Sequence, residues 1–178
     1  FEKILNENGI DGCVAVQVEQ NLEENDYLLA LADKHSFIKA VVGWVDLRAN
    51  DLDEQLQKLS QHQKLKGFRH IAQAEANDFL SAQAIKNGVA KLAEHNFTFD
   101  ILVFPQQLPA AIDLVKSCPN QKFVLDHLAK PYIKSGDINQ WKKDITELSK
   151  YENIYCKISG MVTEADWQNW KSADFIPY

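Results

Sequence analysis

The strongest catalytic candidate in this sequence is a histidine that follows a short apolar segment. His127 stands after Asp126 in Phe123–Pro131, and the apolar start of this segment is typical of a strand buried on both faces. Parallel sheets place their ligands at the carboxyl ends of such strands. A neutral imidazole there can take a proton from water, bind a divalent ion or donate to an oxyanion. We therefore predict that His127 is catalytic; the alternative is a buried histidine bonded to a backbone carbonyl.

Two basic residues end another apolar segment. Arg69 and His70 close Lys66–His70, and only one of two consecutive strand residues can point inward. An inward arginine can hold a carboxylate or a ring oxygen with two hydrogen bonds, so Arg69 is the preferred substrate-binding residue and His70 the second choice. A salt bridge between strands is the equally weighted alternative for Arg69.

Lys157 ends a third apolar segment, where an unpaired cation would be costly to bury. Its partner is either a substrate oxygen or a neighbouring acid such as Asp126 in a buried pair. Asp126 is expected to point away from His127 in a structural role, because successive side chains alternate along a strand. Lys157 is therefore a substrate-binding candidate with a structural alternative.

The remaining candidates lie after Lys157 and at the end of the first apolar segment. Glu164 and Trp167 fit the wall of a sugar-sized pocket, and equally the surface around a helix that starts near Thr163. Gln17 is a further substrate-binding candidate, because it follows the apolar residues of the first segment.

Apolar segments alternate with amphipathic stretches along the sequence, which predicts strands followed by helices. This alternation predicts an α/β fold, because a parallel neighbour is reached only by a connection that crosses the sheet. The predicted strands are Cys13–Val18, Ile38–Val45, Lys66–His70, Phe99–Phe104, Lys122–Asp126 and Ile154–Ile158. The predicted helical stretches are Leu22–His35, Leu52–Leu59, Asp78–His95, Leu108–Cys118 and Ile138–Lys150.

Six such units in 178 residues fit either an open doubly wound sheet or most of an eight-unit barrel, which typically takes about 250 residues. Phe1–Leu5 is predicted to be the tail of a helix without a strand before it, and Asp174–Tyr178 to end in a loop. We therefore expect residues 1–178 to form a single domain, a TIM barrel that lacks its first and last strands, within a longer reading frame. The strand order of such a barrel follows the sequence without reversal.

Composition narrows the class of protein. Hydrophobic residues make up 46% of the sequence, and no apolar run approaches the roughly 20 residues that span a bilayer. A net charge of -6 without a basic stripe argues against a nucleic-acid partner. Cys13, Cys118 and Cys156 lack metal-ligand spacing and fit a reducing compartment. We expect a cytoplasmic protein without a membrane or nucleic-acid partner, and leave an oligomer open.

Five segments, in order along the chain, carry a family resemblance: Gly43–Leu47, Gly67–His70, Phe99–Val103, Val124–Pro131 and Cys156–Trp167. Together they resemble the lactonase branch of the amidohydrolase superfamily, which includes fuconolactonase and 2-pyrone-4,6-dicarboxylate lactonase. The resemblance implies a (β/α)8 barrel that hydrolyses a lactone, with the six strands as the second to the seventh. It also implies that His127 faces the catalytic centre and that Arg69 binds substrate.

The same resemblance implies that the sequence lacks catalytic residues that its relatives carry. Relatives carry His-x-His on the first barrel strand and an aspartate on the last, so the 178 residues by themselves are expected to be inactive. The branch has metal-bound and metal-free members, which makes a divalent metal such as zinc a candidate cofactor and His127 a candidate ligand. One histidine cannot hold zinc alone, because such sites use about three or four protein ligands.

The predicted reaction is attack of water on a lactone carbonyl. His127 would orient or deprotonate the water, and Arg69 or Lys157 would stabilise the negative charge. One alternative is a metal-dependent amidohydrolase or decarboxylase of the same superfamily. The other is a non-catalytic flavodoxin-like domain, which needs a phosphate-binding loop after its first strand. Gln17–Asn21 contains no glycine, which argues against such a loop.

Overall fold

The computed structural model describes residues 1–178, and six strands form one parallel sheet in it. The strand order follows the sequence without reversal, so the predicted order is confirmed and the doubly wound alternative is wrong. The sheet is curled like part of a TIM barrel. The strands are β1 Cys13–Val16, β2 Ile38–Gly43, β3 Leu65–Ile71, β4 Thr98–Leu102, β5 Phe123–Leu125 and β6 Ile154–Cys156.

Helices follow the strands and cover one face of the sheet. One core cluster of 32 buried residues joins the two layers, and Phe68, Phe99 and Phe123 lie completely buried in it. The predicted alternation of strand and helix is confirmed. None of the helices combines the length and the apolar character needed to cross a membrane. The helices are α1 Glu2–Glu7, α2 Glu23–Lys34, α3 Leu52–Leu59, α4 Gln83–Glu94, α5 Leu108–Ser117, α6 Asn139–Leu148 and α7 Met161–Glu164.

Two predicted helices have different limits in the structure. The stretch predicted as one helix over residues 78–95 is a 3-10 turn at Phe79–Ser81 followed by α4, because Ala82 between them is extended with ψ 135°. The helix predicted to start near Thr163 is α7, which begins at Met161 after Gly160 in a left-handed conformation.

The opposite face of the sheet is concave and carries the side chains that alternate with the core residues. Apolar side chains such as Val42 and Val124 share this face with Thr98 and Asp100. They line an open cavity of about 580 Å³, which we call the concavity. Polar groups collect at the carboxyl ends of its strands, which is where parallel sheets of this kind bind ligands.

Candidate active site

Four charged side chains from four successive strands meet in the concavity: Arg69 and Asp100 lie within β3 and β4, and Asp126 and Lys157 directly follow β5 and β6. Arg69 Nη1 donates to Asp126 Oδ2 at 2.9 Å. Lys157 Nζ lies 2.6 Å from Asp126 Oδ1 and donates to Asp100 Oδ2 at 2.5 Å. Arg69 and Asp100 are direct register partners on β3 and β4, so these side chains lie beside each other at one edge. We call these four residues the ion-pair network.

The network is buried and has no net charge. Asp126 is fully buried and Asp100 nearly so. Burial raises the pKa of Asp100, although the hydrogen bond and charge of Lys157 oppose the shift. Burial by itself would lower the pKa of Lys157, but the two carboxylates outweigh it and the pKa is raised. The Lys157 side chain is 35% exposed and that of Arg69 10%, so Lys157 is the cation that a bound molecule can reach.

Gln17 packs behind Arg69. Its Nε2 donates to the Arg69 carbonyl oxygen at 2.9 Å, and Arg69 Nη2 donates to the Gln17 carbonyl oxygen. Both terminal nitrogens of Arg69 are therefore occupied by the protein, which is the salt-bridge alternative of the sequence analysis. Gln17 is completely buried and does not line the concavity.

His127 lines the concavity, but it does so from a turn and not from a strand. β5 ends at Leu125, so the predicted extension of the strand to Asp126 is wrong. Strand alternation therefore does not separate the two residues: Asp126 and His127 both line the concavity, and the expectation that they point apart is wrong. The residues His127–Lys130 all have φ between 51° and 56°. A left-handed conformation costs non-glycine residues roughly 1–2 kcal/mol each, so the surrounding structure must hold this turn.

Neighbouring elements hold the left-handed turn through side chains. Trp141 Nε1, from α6, donates to the Leu128 carbonyl oxygen at 2.7 Å. Lys130 Nζ donates to Glu164 Oε1 at 2.6 Å, which ties the turn to α7. The sequence gives no signal for this turn, because none of its four residues is a glycine or an asparagine.

The His127 ring contacts the loop after β6. Its Nδ1 lies 2.8 Å from Ser159 Oγ. Burial lowers the pKa of His127, and the nearby cations Lys157 and Arg69 lower it further, while Asp126 opposes them. The imidazole is therefore neutral at neutral pH, which is the form that can accept a proton from water. Sequence reasoning missed Ser159, although its position two residues after Lys157 at a strand end was available as a signal.

His70 points to the other side of β3 and does not line the concavity. Trp44 Nε1 donates to His70 Nδ1 at 3.3 Å, which leaves the proton on Nε2, 3.1 Å from Glu75 Oε1. The His70 ring stacks on Phe79 with 4.8 Å between ring centroids. These contacts make His70 an anchor of the loop after β3, and they separate it from the inward Arg69.

Glu164 and Trp167 line a different open groove, of about 450 Å³. Glu164 is held by Lys130, and Trp167 Nε1 donates to the Thr163 carbonyl oxygen at 2.9 Å. The Trp167 side chain is largely exposed. The structure therefore does not bring these two candidates to the concavity.

The residues of this chain do not form a metal site. No group of three or more histidines, cysteines and acids is arranged to hold an ion. The inward acids Asp100 and Asp126 are already neutralised by Lys157 and Arg69, and His127 supplies a single ligand. About three or four ligands are needed for zinc, so these residues do not fit that cofactor by themselves.

Comparison with known sequences gives relatives along nearly the whole chain. The model of the amidohydrolase family matches residues 3–178. The chain is 36% identical to an L-fucono-1,5-lactonase of Burkholderia ambifaria over 166 residues, and 36% identical to one of Burkholderia multivorans over 175 residues. Each alignment covers 93% of this chain, but 57% and 58% of the respective relative, so the chain spans little more than half their length.

Solved structures give the same assignment. An amidohydrolase of Burkholderia multivorans with bound zinc superposes with a TM-score of 0.91 at 35% identity, over 97% of this chain and 62% of that chain. A putative 2-pyrone-4,6-dicarboxylic acid hydrolase of Pseudomonas putida reaches a TM-score of 0.72 at 16% identity, over 98% of this chain and 62% of that chain, and supports the fold alone. The expected inactivity of these 178 residues by themselves is not borne out by these comparisons and stays a prediction. On sequence and fold together, the chain belongs to the amidohydrolase family.

Proposed function

We propose that the protein hydrolyses a sugar lactone by attack of water on the ring-ester carbonyl. The observation that carries this proposal is the ion-pair network in the concavity, with the neutral His127 imidazole beside it. It combines a base with a reachable cation at the carboxyl ends of parallel strands, the usual place for catalysis in barrels. The relatives named L-fucono-1,5-lactonase support the same reaction class.

In the proposed reaction, His127 takes a proton from water as the water oxygen bonds to the lactone carbonyl carbon. The Lys157 ammonium donates to the oxyanion that forms, because Lys157 is the more exposed cation of the network. Collapse of the tetrahedral intermediate breaks the bond to the ring oxygen. The proton on His127 passes to that oxygen, and the product is an open-chain hydroxy acid.

The charges of the concavity favour an uncharged polyhydroxy substrate. Asp100 and Asp126 neutralise Lys157 and Arg69, and both terminal nitrogens of Arg69 are bonded within the protein. A pyrone dicarboxylate needs free cations for its two carboxylates, since burying an unpaired charge is costly. The one other cation that lines the concavity is Lys66, near the amino end of β3, so the chain offers no pair of free cations and the dicarboxylate is the second candidate.

A substrate comparison tests the proposal. The product of the whole reading frame is assayed with six-carbon aldonolactones and with 2-pyrone-4,6-dicarboxylate, each with and without a chelator. We expect kcat/KM to be higher for the aldonolactones by about tenfold or more, the size of one charged contact. A faster reaction with the dicarboxylate contradicts the charge argument, and hydrolysis of neither contradicts the reaction class. Complete loss of activity with the chelator favours the metal-dependent alternative. The observation behind that alternative is the zinc bound to the similar amidohydrolase of Burkholderia multivorans.

The metabolic role, the cellular location and the domain organisation of the protein belong to the same proposal. A sugar lactone places the enzyme in carbohydrate metabolism, and three free thiols fit the reducing cytoplasm. Residues 1–178 are proposed to act as one domain, because a single core cluster joins the sheet and the helices.

A further inference from the structure

Two small residues in the loop after β6 contact the His127 ring directly. Ser159 Oγ lies 2.8 Å from Nδ1. A Cβ atom built on Gly160 would lie 2.9 Å from His127 Cβ, closer than real Cβ atoms come, and 3.1 Å from Cγ, which is tighter than most real Cβ contacts. The ring therefore rests against bare glycine backbone, and any side chain at this position would push it away.

Gly160 differs from the other glycines with positive φ. Gly9 and Gly136 have φ 66° and 71°, and a Cβ on either would meet no atom within 4 Å. Gly160 has the same φ of 71° and, in addition, the contact with His127. The absence of a side chain at Gly160 thus permits both the left-handed backbone and the close contact with His127. Gly136 has an equal φ without such a contact and provides the control.

The histidine that these residues contact stands in a strained turn. The left-handed run His127–Lys130 has no glycine to relieve it. Such a turn has alternative conformations of lower local energy, so the ring needs lateral contacts to keep one orientation. Ser159 and Gly160 supply those contacts from a separate loop.

We propose that Ser159 and Gly160 are positioning residues that fix the ring orientation and the tautomer of His127. A base that takes a proton at Nε2 must carry its resting proton on Nδ1, and this Nδ1–H needs an acceptor. Ser159 Oγ is that acceptor, so Nε2 is left unprotonated toward the water. The kinetic part of this inference rests on the proposed lactonase function, whereas the tautomer part does not.

The test uses five variants of the protein: Ser159→Ala, Ser159→Thr, Gly160→Ala, the control Gly136→Ala, and His127→Ala for assignment. The ¹⁵N shifts of the His127 ring, assigned by their loss in His127→Ala, report the tautomer. Steady-state kinetics on an aldonolactone report kcat and KM separately.

We expect Ser159→Ala to lower kcat by about 10- to 100-fold, as is usual when the partner of a functional histidine is lost, with little change in KM. It should also remove the predominance of the Nδ1–H tautomer, and Ser159→Thr should restore both. Gly160→Ala should lower kcat by about 100-fold through displacement of the ring, while Gly136→Ala should not.

Wild-type kcat and unchanged ring shifts in Ser159→Ala would overturn the role of Ser159. An equal loss of kcat in Gly136→Ala and Gly160→Ala would assign the effect to backbone strain and overturn the role of Gly160. If circular dichroism shows that Gly160→Ala is unfolded, the comparison of Ser159→Ala with Ser159→Thr decides the inference. If the wild type hydrolyses no lactone, the proposed function fails, and the ring shifts still decide the inference.

Discussion

Asp126 is the centre of the ion-pair network, and its replacement by asparagine tests whether charge holds the network together. The carboxylate is fully buried, 2.9 Å from Arg69 Nη1 and 2.6 Å from Lys157 Nζ. Arg69 and Lys157 contact different oxygens of this carboxylate, and asparagine keeps the shape but replaces one of the two oxygens by an NH₂ group. One of the two cations then lies beside this NH₂ without its counter-charge.

The expected loss of stability follows from burial. Removal of one partner from a buried ion pair costs about 3–5 kcal/mol. The lower end applies here, about 3 kcal/mol, because Lys157 is partly exposed and keeps Asp100 as a second partner. For a chain of this size each kcal/mol lowers Tm by about 2–4 °C, so we expect Asp126→Asn to melt roughly 6–12 °C below the wild type.

Urea unfolding followed by circular dichroism at neutral pH measures this loss, with an unchanged m-value as the sign of an intact two-state transition. Asp113→Asn is the matched control, because its ion pair with Lys86, at 2.7 Å, is half exposed. We expect the control to lose about 1 kcal/mol or less. Equal losses in the two variants, or a loss below about 1 kcal/mol in Asp126→Asn, would refute the electrostatic argument.

Three further predictions concern activity and pH. His127→Ala should lower kcat of lactone hydrolysis by about 10²- to 10⁴-fold in a folded protein, and near-wild-type kcat would make the histidine structural. The acidic limb of kcat/KM should lie below pH 6.5, because burial lowers the pKa of His127 and activity is lost only when the ring gains its proton; a limb above 6.5 contradicts this. Lys157 has a raised folded-state pKa, so its stabilisation should be present below pH 10.5 and lost as the pH rises through that higher value. A stability difference between wild type and Lys157→Met that does not shrink above pH 10.5 would contradict this reasoning.

The order of strands and helices could be predicted from the sequence, because it depends on local periodicity. Apolar runs such as the one ending at Val42 mark the strands, and Leu52 and Leu56 recur at the spacing of one helical turn. Both signals lie within a few residues of each other. The prediction that charged groups gather at the strand ends came from the same local reading, since it needs only the direction of each strand.

The partners of those charged groups were decided by the tertiary structure alone. Arg69 and Asp126 are 57 residues apart, as are Asp100 and Lys157, so no local pattern links them. The order and register of strands β3 to β6 bring each cation beside its carboxylate, and they place Arg69 in protein contacts instead of leaving it free for the substrate. The left-handed turn at His127 is likewise held by contacts from elsewhere in the chain, Trp141 of α6 and Glu164 of α7, because its own residues favour other conformations. The sequence thus determined where chemistry could gather, and long-range packing determined which side chains remain free to perform it.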